Sequence, residues 1–240
     1  SRARRTCNGP TSTGTTARLR YGAAPAPDRP FVLLLTNDDG IDSPALRPFA
    51  RALRRDHEVA VVVPDRERSW IGKAITRFDP VELRRSEDPE GELWTCSGTP
   101  ADGVQLGLHA MLDAPPDLVV SGINLGYNHG AGFLLSSGTV GAAMEAWVSG
   151  VDGIAFSVGP THDEGFGAWR RRLAAPETAE AWQRLASLCA DLAEAIRDAG
   201  LLEACDLVTV NLPFEADDTT PRRITTIARV GYDRLFRDLG

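Results

Sequence analysis

No stretch of the 240 residues approaches the roughly 20 consecutive apolar positions that a membrane-spanning helix needs. The first 30 residues carry Arg2, Arg4, Arg5, Arg18 and Arg20 among Ser, Thr, Gly, Ala and Pro, without an apolar core. That composition argues against a secretory signal and fits an Arg-rich leader or a flexible tail. There is no excess of basic charge. The net charge of -7 and pI near 5.2 disfavour broad contact with a nucleic-acid backbone. An anionic small substrate stays open, because a bound cation inverts the local field.

Several catalytic signatures are also missing. Cys7, Cys96, Cys189 and Cys205 form no CxxC pair, which removes a zinc knuckle or a thioredoxin-type motif. They are expected to be mostly buried thiols in a reducing, cytoplasmic compartment, with Cys7 exposed. His57, His109, His129 and His162 form neither HxxxH nor HExxH, so a zinc hydrolase of that kind is disfavoured. His57 and His109 read as structural; His129 alone falls in a candidate site loop. No Gly-x-Ser-x-Gly elbow and no Walker A lysine are present.

What is present alternates. Residues 31–35 form an apolar run of the kind a strand covered on both faces shows. Ser43 and Pro44 are read as the cap and first position of a helix whose face carries Leu46, Phe49, Ala50 and Leu53. Strands are expected at 59–63, 93–96, 118–120, 154–158, 207–210 and 224–227. Helices are expected at 101–112, 139–148 and 177–199, and residues 84–92 as an exposed hairpin or loop. This is the pattern of an α/β protein with an open, mostly parallel sheet, which binds ligands beyond the carboxyl ends of its strands.

Four polar segments fall at that edge. Asn37-Asp38-Asp39-Gly40 follows the first strand, and its paired carboxylates suit a hard cation such as Mg²⁺ or Mn²⁺; a solvated turn explains it equally. Ser121-Gly122-Ile123-Asn124 with Asn128 offers amide groups for a metal or a phosphate, or is a simple Gly/Asn turn. Ser136-Ser137-Gly138-Thr139 opens a helix, either as an anion site or as plain capping. Asp65-Arg66-Glu67-Arg68-Ser69 follows the second strand. Its Ser69 hydroxyl is a candidate metal ligand, and Arg66, Arg68 and Lys73 are read as solvated or as a substrate rim.

Taken together, Thr36-Asn37-Asp38-Asp39-Gly40, Pro64-Asp65-Arg66-Glu67-Arg68-Ser69, Gly98-Thr99-Pro100-Ala101-Asp102, Ser121-Gly122-Ile123-Asn124 with Gly126 and Asn128, and Ser137-Gly138-Thr139-Val140-Gly141-Ala142-Ala143-Met144-Glu145 resemble the SurE family of survival-protein nucleotidases. The resemblance is strong over 31–158 and weaker to about 229. It implies a Rossmann-like three-layer sandwich over 31–230, flanked by the leader at 1–30 and a short remnant at 231–240. It implies a 5′-nucleotidase that hydrolyses nucleoside 5′- and 3′-monophosphates with one divalent ion, Mg²⁺ or Mn²⁺. The family's metal ligands match Asp38, Asp39, Ser69 and Asn124, with Asp38 and Asp39 as catalytic residues. Its phosphate-contacting positions match Asn37, Asn128, Ser137, Gly138 and Thr139. The partner expected is a nucleoside monophosphate or related phosphomonoester, with no nucleic-acid polymer and no membrane. A homodimer is expected, weakened by a C-terminal region shorter than the family's β-arm. Trp70, where many members carry a small residue, is expected to reshape the pocket rim. The alternative is a nucleotide-binding module with weak or lost turnover.

Overall fold

The structure is a computed structural model that describes residues 31–88, 91–161 and 166–231. The expectations for the leader at 1–30 and for residues 232–240 lie outside the described residues, as do Cys7 and His162.

Seven strands form one sheet in the order β3-β4-β2-β1-β5-β6-β7. They are β1 (Val32–Thr36), β2 (Glu58–Pro64), β3 (Leu83–Ser86), β4 (Leu93–Cys96), β5 (Leu118–Leu125), β6 (Asp152–Gly159) and β7 (Val208–Pro213). All neighbouring pairs are parallel except β3 with β4. The central strands are apolar on both faces because both faces are covered. Leu33, Leu35, Val61, Val63 and Val120 point into one core layer, under α1 (Leu46–Leu53) and α6 (Ala179–Asp198). Leu34, Val62 and Val119 point into the other, under α2 (Pro100–Leu106) and α4 (Gly138–Val148). This period-2 split of a continuous hydrophobic run is what a doubly covered parallel sheet requires. The expected three-layer α/β architecture is therefore the one observed.

Several local expectations need correction. Helix α1 begins at Leu46 rather than at Pro44, with Ala45 as its cap and no side-chain cap bond. The Ser43 carbonyl instead accepts from the Leu46 N–H, which closes a turn before the helix. The helix expected over 101–112 is α2 followed by a π-helical turn, Gly107–Met111. Ser121-Gly122-Ile123-Asn124 is not a loop: it continues β5 to Leu125, with an irregularity between Ser121 and Asn124. Residues 224–227 form no strand; Ile224 and Ile227 are exposed and have no sheet neighbour among the described residues. Cys205 is exposed, whereas Cys96 and Cys189 are buried as expected. Three short helices were not anticipated: α3 (Ala131–Ser136), α5 (Phe166–Leu173) and α7 (Leu201–Ala204). Among the described residues, no helix is long and apolar enough to cross a membrane.

Helix α4 lies very close to the loop that follows β2. A Cβ built on Gly141 would stand 2.5 Å from the Gly72 carbonyl oxygen and 2.8 Å from the Lys73 nitrogen. Backbone atoms cannot yield as a side-chain tip does, so Gly141→Ala must push the helix or the loop aside. The expected loss is about 1–3 kcal/mol of unfolding free energy, read as a lowered denaturant midpoint at unchanged slope. An unchanged midpoint would show that the loop is not held where it is seen.

Candidate active site

From β1 the chain winds outward through β2, β3 and β4, then returns to place β5 on the other side of β1, so the carboxyl ends of β1 and β5 flank the crevice where the strand order reverses. A cavity of about 230 Å³ opens there. Asp38 comes to it from the end of β1, Ser69 and Trp70 from the loop after β2, and Asn124 from the end of β5. Tyr127, Asn128, His129, Phe133 and Ser137 follow β5, Pro160 follows β6, and Arg170 comes from α5.

The aspartate turn is held from within. Both polar atoms of the buried Asn37 side chain bond Gly40: its Nδ2 donates to the carbonyl at 3.1 Å and its Oδ1 accepts from the N–H at 3.0 Å. The Arg68 N–H donates to the Asp38 carbonyl at 2.7 Å and the Gly72 N–H to the Ser136 carbonyl at 2.9 Å. The segment bearing Ser69 is thus tied at one end to the aspartate turn and at the other to α3.

Asp38 Oδ1 accepts from the Thr139 hydroxyl at 2.5 Å. Asp39 Oδ2 accepts from the Leu125 N–H at 3.0 Å, and its Oδ1 meets Arg170 Nη2 at 2.9 Å. The same guanidinium nitrogen reaches Glu67 Oε1 at 3.0 Å, to which the Ser69 hydroxyl donates at 2.5 Å. Arg170 therefore links the carboxylate of Asp39, through Glu67, to the hydroxyl of Ser69.

Burial dominates the electrostatics of the pair. It pushes the Asp38 carboxyl above its ordinary range, and the Thr139 hydrogen bonds only partly oppose it. Burial, and next the adjacent Asp38 charge, push Asp39 up to about 7, while the Leu125 N–H and Arg170 pull it down. Two neighbouring desolvated carboxylates resist joint ionisation unless further positive charge arrives. Among the described residues, no group of three or more His, Cys, Asp or Glu side chains gathers as a metal cluster. The donors here are two carboxylates with neutral oxygens from Ser69 and Asn124, a set that suits a hard oxygen-seeking cation and not a soft one.

The other candidate residues divide. Asn128 lines the cavity; its N–H donates to Asn211 Oδ1 at 2.8 Å and its Nδ2 to Ser157 Oγ at 2.9 Å. Asn124 Nδ2 donates to the Gly126 carbonyl at 2.6 Å, which leaves its Oδ1 as the acceptor available to a ligand. Ser137 lines the cavity and caps α4 by accepting from the Val140 N–H at 3.1 Å. Gly138 packs directly on Asp38: a Cβ there would stand 2.8 Å from the Asp38 Cβ. Asn37 and Thr139 do not line the cavity; one clamps the turn and the other orients Asp38.

Arg66, Arg68 and Lys73 do not line the cavity either. Arg68 donates to the Ser97 carbonyl, and Lys73 pairs with the buried Glu145. Gly98-Thr99-Pro100 starts α2, where Thr99 and Asp102 form a capping box away from the cavity. His57 is structural, with Nε2 2.7 Å from Glu194 Oε1. Arg170 escaped the sequence reading. Its only local signal was the basic run Arg170-Arg171-Arg172, and its partner Asp39 lies 131 residues away.

Comparison with known proteins adds the context of relatives. The family model described as survival protein SurE matches residues 33–234. The 5′-nucleotidase SurE of Methanocella arvoryzae is 36% identical over 206 residues, covering 85% of this chain and 75% of that protein. The 5′-nucleotidase SurE of Thermosynechococcus vestitus is 50% identical over 130 residues, covering 52% of this chain and 49% of that one. The crystal structure of the SurE protein from Aquifex aeolicus superposes with a TM-score of 0.60 at 34% identity, covering 76% of this chain and 66% of that one. The chain also spans about half the length of the 5′-nucleotidase SurE proteins of Trichormus variabilis and Methanopyrus kandleri.

Proposed function

The chain belongs to the SurE family, and from that premise we propose that it is a metal-dependent phosphomonoesterase acting on nucleoside 5′- and 3′-monophosphates. The observation that carries this reading is the Asp38–Asp39 pair. Both carboxyls are desolvated enough to be driven above their ordinary range. Asp38 lines the cavity at the crevice where such sheets bind ligands, and Asp39 lies next to it, held by Arg170 and the Leu125 N–H, which do line it. A site built for a cation explains that arrangement; an ordinary solvated turn does not.

In this reading Asp38, Asp39, Ser69 and Asn124 hold one Mg²⁺ or Mn²⁺. When bound, the cation supplies positive charge to the phosphoryl oxygens and makes water a better nucleophile at neutral pH. The remaining work falls to the chain. Thr139 fixes the Asp38 carboxylate by its hydroxyl, and the Leu125 N–H fixes that of Asp39. Asn128, Ser137 and the start of α4 at Gly138 receive the phosphate, since an 11-residue helix presents free N–H groups and a partial positive charge at that end. Arg170 keeps one Asp39 oxygen oriented and adds positive charge to the same wall. Asn37 serves the site as the clamp of the aspartate turn rather than by touching phosphate. Positioning and charge stabilisation supply most of the acceleration in phosphoryl transfer, and these residues provide both. A cytoplasmic location fits the free, buried thiols of Cys96 and Cys189.

The test is phosphate release from AMP and GMP before and after exhaustive chelation. Chelation should remove activity by about 100-fold or more, and Mg²⁺ or Mn²⁺ should restore it. Undiminished turnover after chelation would overturn the reading. So would calorimetric binding of AMP with no phosphate release in the presence of either ion.

A further inference from the structure

The cavity has a second chemical face. Opposite in character to Asp38, Ser69, Asn124 and Ser137, its lining includes Trp70, Phe133, His129 and Tyr127. These rings form a continuous series. Trp70 and Phe133 have centroids 6.0 Å apart, Phe133 and His129 lie stacked at 6.2 Å, and His129 meets Tyr127 edge-on at 5.4 Å. We infer that this aromatic wall is a subsite for the nucleobase of the substrate, with Trp70 as its outer stacking surface. The inference rests on the phosphomonoesterase reading and deepens it.

Trp70 itself motivates the assignment. A tryptophan gains most from being buried, yet this one is 51% exposed at the cavity. Its backbone is also in the left-handed region, at φ +61°, where a bulky residue is a costly outlier. Neither feature serves the core. The conformation is imposed by the segment's ties to the Asp38 carbonyl and the Ser136 carbonyl, which bring the indole beside Phe133 of α3. A ligand that matches both faces must carry an anionic tetrahedral group at one end and a flat ring at the other. A nucleoside monophosphate is such a molecule; a sugar phosphate or a short-chain phosphate ester lacks the ring. Offset and tilted arrangements are those aromatic rings prefer, so the wall accepts a base without a special geometry. Stacking reads every base by its π-face, so the subsite should favour nucleotides as a class and the larger purines among them.

AMP and ribose 5-phosphate differ only by the base, and their ratio of kcat/KM isolates it. With Mg²⁺ or Mn²⁺ the wild type should prefer AMP, and Trp70→Ala should lower that preference by roughly five- to a hundredfold, the range that one aromatic contact to a base supports. Trp70→Phe, which keeps a ring, should retain most of it, and Phe133→Ala should lower it in the same direction. Circular dichroism checks that each variant is folded. An AMP to ribose 5-phosphate ratio that stays at the wild-type value in both Trp70→Ala and Phe133→Ala overturns the inference. Adenosine binding by calorimetry separates the two readings, because adenosine carries no phosphate. If neither ester is hydrolysed but adenosine binds at least fivefold more weakly to Trp70→Ala, the base subsite stands and the enzymatic reading falls. Adenosine affinity equal in the wild type and Trp70→Ala, or undetectable in both, overturns the subsite.

Discussion

Asp38→Asn is expected to reduce kcat/KM for AMP by about three orders of magnitude while leaving a folded protein that is more stable than the wild type without metal. The first effect follows from losing one of two carboxylates in a site with few other charged donors. Charge stabilisation of several kcal/mol is what a catalytic cation contributes, and ~4 kcal/mol is a factor of about a thousand. The second effect has the opposite sign because the amide removes a desolvated charge. Burial opposes ionisation of Asp38, and its charge in turn raises Asp39. An asparagine keeps the shape and still accepts from the Thr139 hydroxyl through its Oδ1. A function-bearing site that strains the fold is a common trade between stability and activity. Phosphate-release kinetics and thermal unfolding at pH 8, both on metal-free and metal-loaded protein, read the two effects together. A variant that retains a tenth of the wild-type activity would remove Asp38 from the chemistry.

The metal-free protein should lose stability as pH rises from about 4 to about 7. In the unfolded chain the Asp39 carboxyl ionises near its ordinary value, 3.8, whereas the folded chain holds its proton up to about 7. Between those values the folded state binds more protons than the unfolded state, so the unfolding free energy falls with each increment of pH. Below pH 4 both states are protonated and the contribution is fully present; above 7 both are ionised and the loss levels off. Asp38 moves in the same direction. The Asp39 side chain is only 5% exposed, so solvent screening discounts little of this. The loss is on the order of a few kcal/mol, or roughly 5–10 °C in melting temperature. Saturating Mg²⁺ or Mn²⁺ should recover it at pH 8 and do little at pH 5, where protons compete for the same oxygens. Thermal melts across pH with and without the ion provide the measurement. A metal-free melting temperature that rises between pH 5 and 7.5 would mean that the carboxylates are stabilised by their surroundings and need no cation.

Much of this was legible in the chain. The run ending at Leu35, the turn at Asn37-Asp38-Asp39-Gly40 and the cap at Ser137 are local signals, so strand end, carboxylate pair and helix start could be placed from neighbours in sequence. What escaped depends on distant partners. Arg170 belongs to a short helix with a weak periodic signal, and it acquires meaning only when the fold brings it to Asp39. Asn37 and Thr139 are polar residues of the expected loops, but whether each faces a ligand or a neighbour is set by side-chain direction, which residue type does not encode. The segment at Ile224 had the composition of a strand, yet a strand needs a hydrogen-bonding neighbour and the described residues offer none. The aromatic wall was visible only as scattered rings until Trp70 and Phe133, far apart in sequence, met side by side at the cavity.

The irregularity in β5 decides which residue of that strand can reach the site. Ser121 pairs with Ala155 and Asn124 with Ser157, so three steps on β5 match two on β6. The irregularity absorbs that single extra residue, so Ser121 and Asn124, paired with Ala155 and Ser157, face the same side although an odd number of steps separates them. Were the irregularity straightened into a regular ladder, every residue named above would remain in the chain, yet Asn124 would turn to the opposite side of the sheet. The place of Asn124 in the site is thus held by a local departure of the backbone as much as by its own side chain, and a change that straightened this strand would empty that place without touching Asn124.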